Sequence, residues 1–159
     1  MDLFYEPHRI ILKKLLEYNV DFIMIGGYAV NYHGFNRPTG DMDLWLKPTE
    51  ENKSKFIAML EKYDFNQEGI DYVKSLDFSK AEVFCIGQVP IRIDFLTQIS
   101  GVDYEAADNG KIIADIENMK IPVLHLNHLI LSKIANDRIK DKLDIEELQK
   151  LQKLKNKNN

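Results

Sequence analysis

Ile25-Gly26-Gly27, thirteen residues of intervening chain, then Asp41-Met42-Asp43-Leu44: the reading of this stretch decides the fold. Phe22-Ile23-Met24-Ile25 is an unbroken apolar run short enough for a buried strand, and Gly26-Gly27 stops it. Tyr28 to Tyr32 reads as a short helix opening at those glycines, and Gly34 to Gly40 as loop by its glycines and proline. From Asp41 to Leu46 acid and apolar residues alternate until Trp45, the pattern of a half-buried strand. Side chains two apart on a strand share a face, so Asp41 and Asp43 project together from Cα atoms about 7 Å apart. Met42 and Leu44 take the opposite face and set the register. Two acids side by side repel unless solvent, a partner or a cation compensates. Magnesium is the natural compensator, because it takes carboxylate oxygens and completes its octahedron with water and substrate phosphates.

A third acid follows the same logic. In Ile91-Arg92-Ile93-Asp94-Phe95 the apolar residues share one face and Asp94 takes the other. If that strand neighbours the Asp41 strand, three carboxylates converge on a patch able to hold two metals ~3.5–4 Å apart, the arrangement that clamps attacking and leaving oxygens in phosphoryl or nucleotidyl transfer. Gly26-Gly27 supplies the complement, since backbone without Cβ atoms approaches a triphosphate closely and its N–H groups begin a helix. Neither a Gly-Lys-Ser/Thr nor a GxGxxG pattern follows, which excludes the P-loop and the dinucleotide fingerprint. Arg37 and Thr39, just ahead of the acids, offer phosphate a charge-assisted contact and a hydroxyl.

Outward from this centre, Pro7 to Tyr18 has helical apolar spacing, and Thr49 opens a helix buried through Phe56, Ile57, Met59, Leu60 and Tyr63. Ala81–Ile86 and Ile91–Leu96 read as a hairpin about Gly87-Gln88. A Gly/Asp/Asn-rich connection over 101–110 leads to strands at Lys111–Ile116 and Ile121–Val123, then to helices at about Leu126–Ala135 and Lys140–Leu151. The whole is an α+β (mixed α/β) fold, a mixed sheet flanked by helices with a C-terminal helical part. Residues 1–100 form the core, 101–159 a strand/helix extension packed on it, and 153–159 a polar tail expected to fray.

A chain of 159 residues with 45% apolar and 29% charged residues has the composition of an ordinary globular protein, which excludes global disorder. A net charge of −4 argues against a surface built to coat nucleic acid and leaves room for a local basic groove. Cys85 stands alone, so no internal disulfide forms and a reducing cytoplasm fits. Its apolar setting, Val83 to Ile86, predicts a buried inert thiol. The acids at Met1-Asp2-Leu3-Phe4-Tyr5-Glu6 do not fit a signal peptide, and Phe22–Val30 is far shorter than the ~20 residues of a membrane span. The expectation is a soluble cytoplasmic chain.

Taken together, Ile25-Gly26-Gly27, Asp41-Met42-Asp43-Leu44 and the later strand acid Asp94 resemble the signature of the nucleotidyltransferase superfamily with the polymerase β-like fold. The text Arg37-Pro38-Thr39-Gly40-Asp41-Met42-Asp43 is similar to the small prokaryotic branch, the abortive-infection and minimal nucleotidyltransferases of toxin–antitoxin type. That branch often carries a later helical motif like Lys133-Ile134-Ala135-Asn136-Asp137-Arg138-Ile139-Lys140-Asp141 with Asp144. The resemblance, over roughly residues 23–148, implies transfer of a nucleoside monophosphate from an NTP to a hydroxyl acceptor. Asp41, Asp43 and Asp94 would be its magnesium ligands and catalytic acids, and Gly26, Gly27, Arg37, Thr39 and Lys133 would hold the nucleotide. The acceptor stays open among RNA (tRNA included), a protein hydroxyl and a small molecule. So does the alternative of a weak or inactive binding module serving a toxin–antitoxin pair through protein or RNA contacts.

Singly, each piece has a plainer reading. A glycine pair ends strands, Asp94 can pair with Arg92 or a neighbouring lysine, and His33 suits packing or capping at a helix end. His125 and His128 lack zinc-ligand spacing. Lys133, Arg138, Lys140, Asp141 and Asp144 fall at helical spacings that surface ion pairs of ~0.3–0.5 kcal/mol each would explain.

Overall fold

The computed structural model describes residues 3–158. Helix α1 (Glu6–Glu17) carries Pro7 in its first turn, where the fixed φ suits a helix start, and buries Ile11, Leu12 and Leu15. Strand β1 (Phe22–Ile25) follows, buried at every residue. Helix α2 (Gly26–His33) begins directly at the glycine pair, and β2 (Met42–Leu46) comes after the loop. Thr49 caps α3 (Glu50–Lys62) by accepting the amide of Asn52.

Helix α4 (Gln67–Ser75) lies where the sequence offered no clear signal, because only Ile70 and Val73 of its nine residues are buried. The hairpin is β3 (Val83–Ile86) with β4 (Ile93–Leu96), paired antiparallel. The 101–110 connection contains a short helix, α5 (Tyr104–Gly110), capped by Asp103. Strands β5 (Ile112–Ile116) and β6 (Met119–Val123) form a second antiparallel pair. Helix α6 (Leu126–Asn136), a 3-10 turn (Ile139–Asp141) and α7 (Lys142–Lys157) complete the chain.

All six strands form one mixed sheet in the order β3-β4-β2-β1-β6-β5. β6 pairs parallel with β1 at Met24↔Val123, so the sheet runs continuously across residue 100. A strand buried at all four positions must be covered on both faces, and β1 sits at the sheet's centre for that reason. Met42 and Leu44 are fully buried, as the alternation predicts. Phe56 meets Phe84 and Phe95 with ring centroids 5.5 and 5.0 Å away, fastening α3 to the β3–β4 side. The indole N–H of buried Trp45 donates to the Thr97 carbonyl at 3.1 Å.

Two expectations are corrected. Cys85 is exposed, because β3 is an edge strand whose alternate residues face outward. Lys133, Asp141 and Asp144 are buried, not a solvated helix face. Helical conformation continues through Lys157 across the polar tail, while Asn159, with Met1 and Asp2 at the other end, lies outside the described residues. None of the described helices is long and apolar enough to cross a membrane.

Candidate active site

Topology brings the chemistry to one end of the sheet. β1 ends at Ile25, and β2 runs antiparallel to it with Ile25 opposite Asp43. β4 runs parallel to β2 with Asp94 opposite Asp43. The end of β1 and the starts of β2 and β4 therefore coincide, and Gly26, Asp43 and Asp94 meet there. Asp41 lies one residue ahead of β2, in a bend rather than in the strand.

The glycines are held hard against these residues. Gly26 has φ +67°, and a Cβ there would stand 2.3 Å from an Asp43 carboxylate oxygen. A Cβ on Gly27 would stand 2.2 Å from the Thr39 hydroxyl and 3.4 Å from an Arg37 nitrogen. Any other residue would collide with an acid at the first position and with the loop at the second. A cavity of about 550 Å³ opens onto this corner, walled by the Gly26-Gly27 turn, the 37–40 loop, the three acids, and Lys133 with residues 138–144. A second cavity of about 440 Å³ shares Gly26, Asp43, Lys133 and Arg138 and continues past Leu96, Gln98 and Asn136.

The acids differ in their partners. Arg92 donates to Asp41 at 2.8 Å and lies 3.2 Å from Asp94, so one guanidinium spans two of the three. Asp43 has no ion-pair partner among the described residues. Burial, then the charges of Asp94 and Asp41, push its carboxyl from the ordinary 3.8 up to about 6, with Lys133 opposing. Among the described residues no three His, Cys, Asp or Glu side chains are grouped so as to hold a metal as they stand. The donor set is nonetheless all carboxylate, the chemistry a hard cation takes.

The sign of the Asp43 shift makes it testable. A carboxyl raised in the folded state favours folding below pH 4 and loses that contribution as pH rises towards 6. In a chelating buffer at pH 7.5, Asp43→Asn should therefore be more stable than wild type by about 1–3 kcal/mol, with the gap closing near pH 4. Thermal melts across that range check it.

In the cavity wall, three buried charges, Lys133, Asp141 and Asp144, are flanked by the more exposed Arg138 and Arg37. Lys133, on α6, donates to Asp141 at 3.0 Å and stands 3.0 Å from Asp144 on α7. Arg138 holds the second oxygen of Asp141 at 2.7 Å, and Arg37 grips Asp144 with two bonds of 2.7 and 2.8 Å. Burial pushes both carboxyls up, yet the donors outweigh it and hold each below its ordinary value. Arg37 thus lines the cavity beside Gly27 while its guanidinium is committed to an acid 107 residues away. His33 donates from Nε2 to the buried Leu124 carbonyl at 2.7 Å, a packing role. His125 caps α6 by accepting the Asn127 amide. In the sequence Arg92 stood only as one possible partner of Asp94, beside a neighbouring lysine. Its place two residues away on the same face carried that signal, but the second bond to Asp41 needed the fold.

A glycine turn opening a helix, facing strand acids at one end of a mixed sheet, defines the nucleotidyltransferase class of α+β proteins. The chain belongs to the family described as nucleotidyl transferase of unknown function (DUF2204), whose family model matches residues 5–159. Among solved structures it is similar to the lincosamide antibiotic adenylyltransferase LnuA with lincomycin bound, at TM-score 0.56 and 14% identity over 95% of this chain and 99% of that one. An antigenic nucleotidyltransferase-like protein from Paracoccidioides brasiliensis gives 0.54 and 16% over 91% and 73%. The antibiotic-resistance factor ANT(2'')-Ia gives 0.52 and 15% over 92% and 83%. Identities this low speak for the fold alone. No curated protein sequence matches the chain.

Proposed function

We propose that the chain transfers a nucleoside monophosphate from an NTP to a hydroxyl acceptor in a magnesium-dependent reaction. The observation that carries this is the meeting of the Gly26-Gly27 turn and three strand-end acids in one cavity with the basic residues of the 37–40 loop and the 133–144 segment. Asp41, Asp43 and Asp94 would hold the metal, and Arg92 would give up Asp41 and Asp94 as it binds. Magnesium bound there neutralises phosphate charge and polarises the bond to be broken.

The backbone at Gly26-Gly27, with Thr39, cradles the phosphates at the start of α2. The acceptor oxygen forms its bond to the α-phosphorus as the α–β bridge breaks, and pyrophosphate leaves with the bridging electrons. The hydroxyl proton passes to the Asp94 carboxylate. Catalysis is mainly positioning and charge neutralisation. Arg37 and Lys133 act chiefly by fixing the cavity wall through Asp144. A small-molecule hydroxyl is the acceptor class we favour, since two of the fold's neighbours are an antibiotic adenylyltransferase and an antibiotic-resistance factor.

The test is incubation with labelled NTPs and magnesium, offering lincosamides, aminoglycosides, total RNA and cell protein in parallel. Label should appear on an acceptor only with magnesium, and magnesium-dependent nucleotide binding should raise the melting temperature of wild type but not of Asp43→Asn. If nothing is labelled and a partner protein binds equally well with all three acids replaced, the chain is a scaffold of toxin–antitoxin type instead.

A further inference from the structure

The nucleotide cavity contains basic side chains in two states. Arg37 is bonded to Asp144, Arg138 to Asp141, Lys133 to both of those acids, and Arg92 to Asp41 and Asp94. Each of these cations already has its charge balanced by a carboxylate within 3.2 Å. A phosphate reaching any of them exchanges one anion for another, and at Lys133 it would also have to displace a buried pair. Lys140 differs. It lines the same cavity, is exposed, and among the described residues has no acid within ion-pair distance.

Its position is fixed nonetheless. Lys140 sits in the middle of the 3-10 turn Ile139–Asp141. The turn's last residue, Asp141, is buried and held by Lys133 and Arg138. The backbone under Lys140 is therefore anchored by charged bonds while its ammonium stays unpaired. Asp43, which lines the same cavity, likewise has no ion-pair partner among the described residues.

We infer that Lys140 binds the polyphosphate of the NTP, the part that leaves as pyrophosphate. The inference rests on the nucleotidyl-transfer reading above. It assigns the role to Lys140 rather than to Arg37 or Lys133, because an unpaired ammonium forms a charged bond to phosphate without breaking another.

The experiment measures binding by calorimetry, with magnesium, of ATP, GTP, CTP, UTP, AMP and inorganic pyrophosphate to the full chain. Wild type is compared with Lys140→Gln and Lys140→Arg. Lys140→Gln should weaken the preferred NTP and pyrophosphate by about tenfold or more, leave AMP within about twofold, and leave the melting temperature unchanged. Lys140→Arg should keep most of the affinity. If wild type binds NTP and Lys140→Gln binds it within twofold of wild type, the Lys140 assignment is overturned while the nucleotidyl-transfer reading stands. If wild type binds neither any NTP nor pyrophosphate, both fall.

Discussion

Lys133→Met should destabilise the fold by about 2–4 kcal/mol, since it removes two charge-assisted bonds from a buried site. Lys133 is 5% exposed and serves two carboxylates that are themselves 3% and 4% exposed. Removing the ammonium leaves Asp141 with Arg138 and Asp144 with Arg37, so neither acid is stranded, but both acids lose the one partner that is itself buried and keep only partly exposed guanidiniums. Arg37→Ala should cost less, because Asp144 keeps Lys133. The two acids lie below their ordinary values, so the stability they contribute is present at neutral pH and is lost as pH falls through those lowered values. The gap between wild type and Lys133→Met should accordingly narrow on acidification. Urea melts at pH 7 and below pH 4 measure it. A gap independent of pH would mean that packing rather than charge holds α6 to α7.

The second large effect is on turnover. Asp41→Ala, Asp43→Asn and Asp94→Ala should each lower nucleotidyl transfer by about a hundredfold to a thousandfold, the usual cost of removing one preorganised charge, ~2.7–4 kcal/mol. Their stabilities should diverge in a way that simple damage would not produce. Asp43→Asn relieves the unpaired, raised carboxyl and gains stability without metal. Asp41→Ala and Asp94→Ala each take one partner from Arg92 while leaving it the other, and should be close to neutral. Steady-state rates set beside melting temperatures separate the two effects. Inactive variants that are also unfolded would remove the acids from the site and return them to the fold.

What was legible in the sequence was what local periodicity carries. β1, β2 and β4 follow from apolar runs and alternation, and α2 from the glycine pair. Asp41 and Asp43 were read as same-face acids of one strand, but Asp41 lies one residue ahead of β2, and Asp94 comes opposite Asp43 because β4 pairs with β2. The burial of Lys133, Asp141 and Asp144 was not readable, because three- and four-residue spacing looks alike on a solvated and a buried helix face. What distinguishes them is the grip of Arg37 from across the chain. Cys85 was misread because an apolar run fits an interior strand as well as an edge strand, and position in the sheet is a long-range property. α4 was missed because Gly69 and two buried residues leave little helical pattern.

The most direct measurement uses two forms of the preferred NTP, one labelled at the α-phosphate and one at the γ-phosphate, with magnesium and the acceptor found in the panel. Nucleotidyl transfer at the Asp41–Asp43–Asp94 corner puts the α-label on the acceptor and the γ-label in free pyrophosphate, and Asp43→Asn abolishes both. γ-label on the acceptor, or α-label transferred undiminished by Asp43→Asn, would contradict the account.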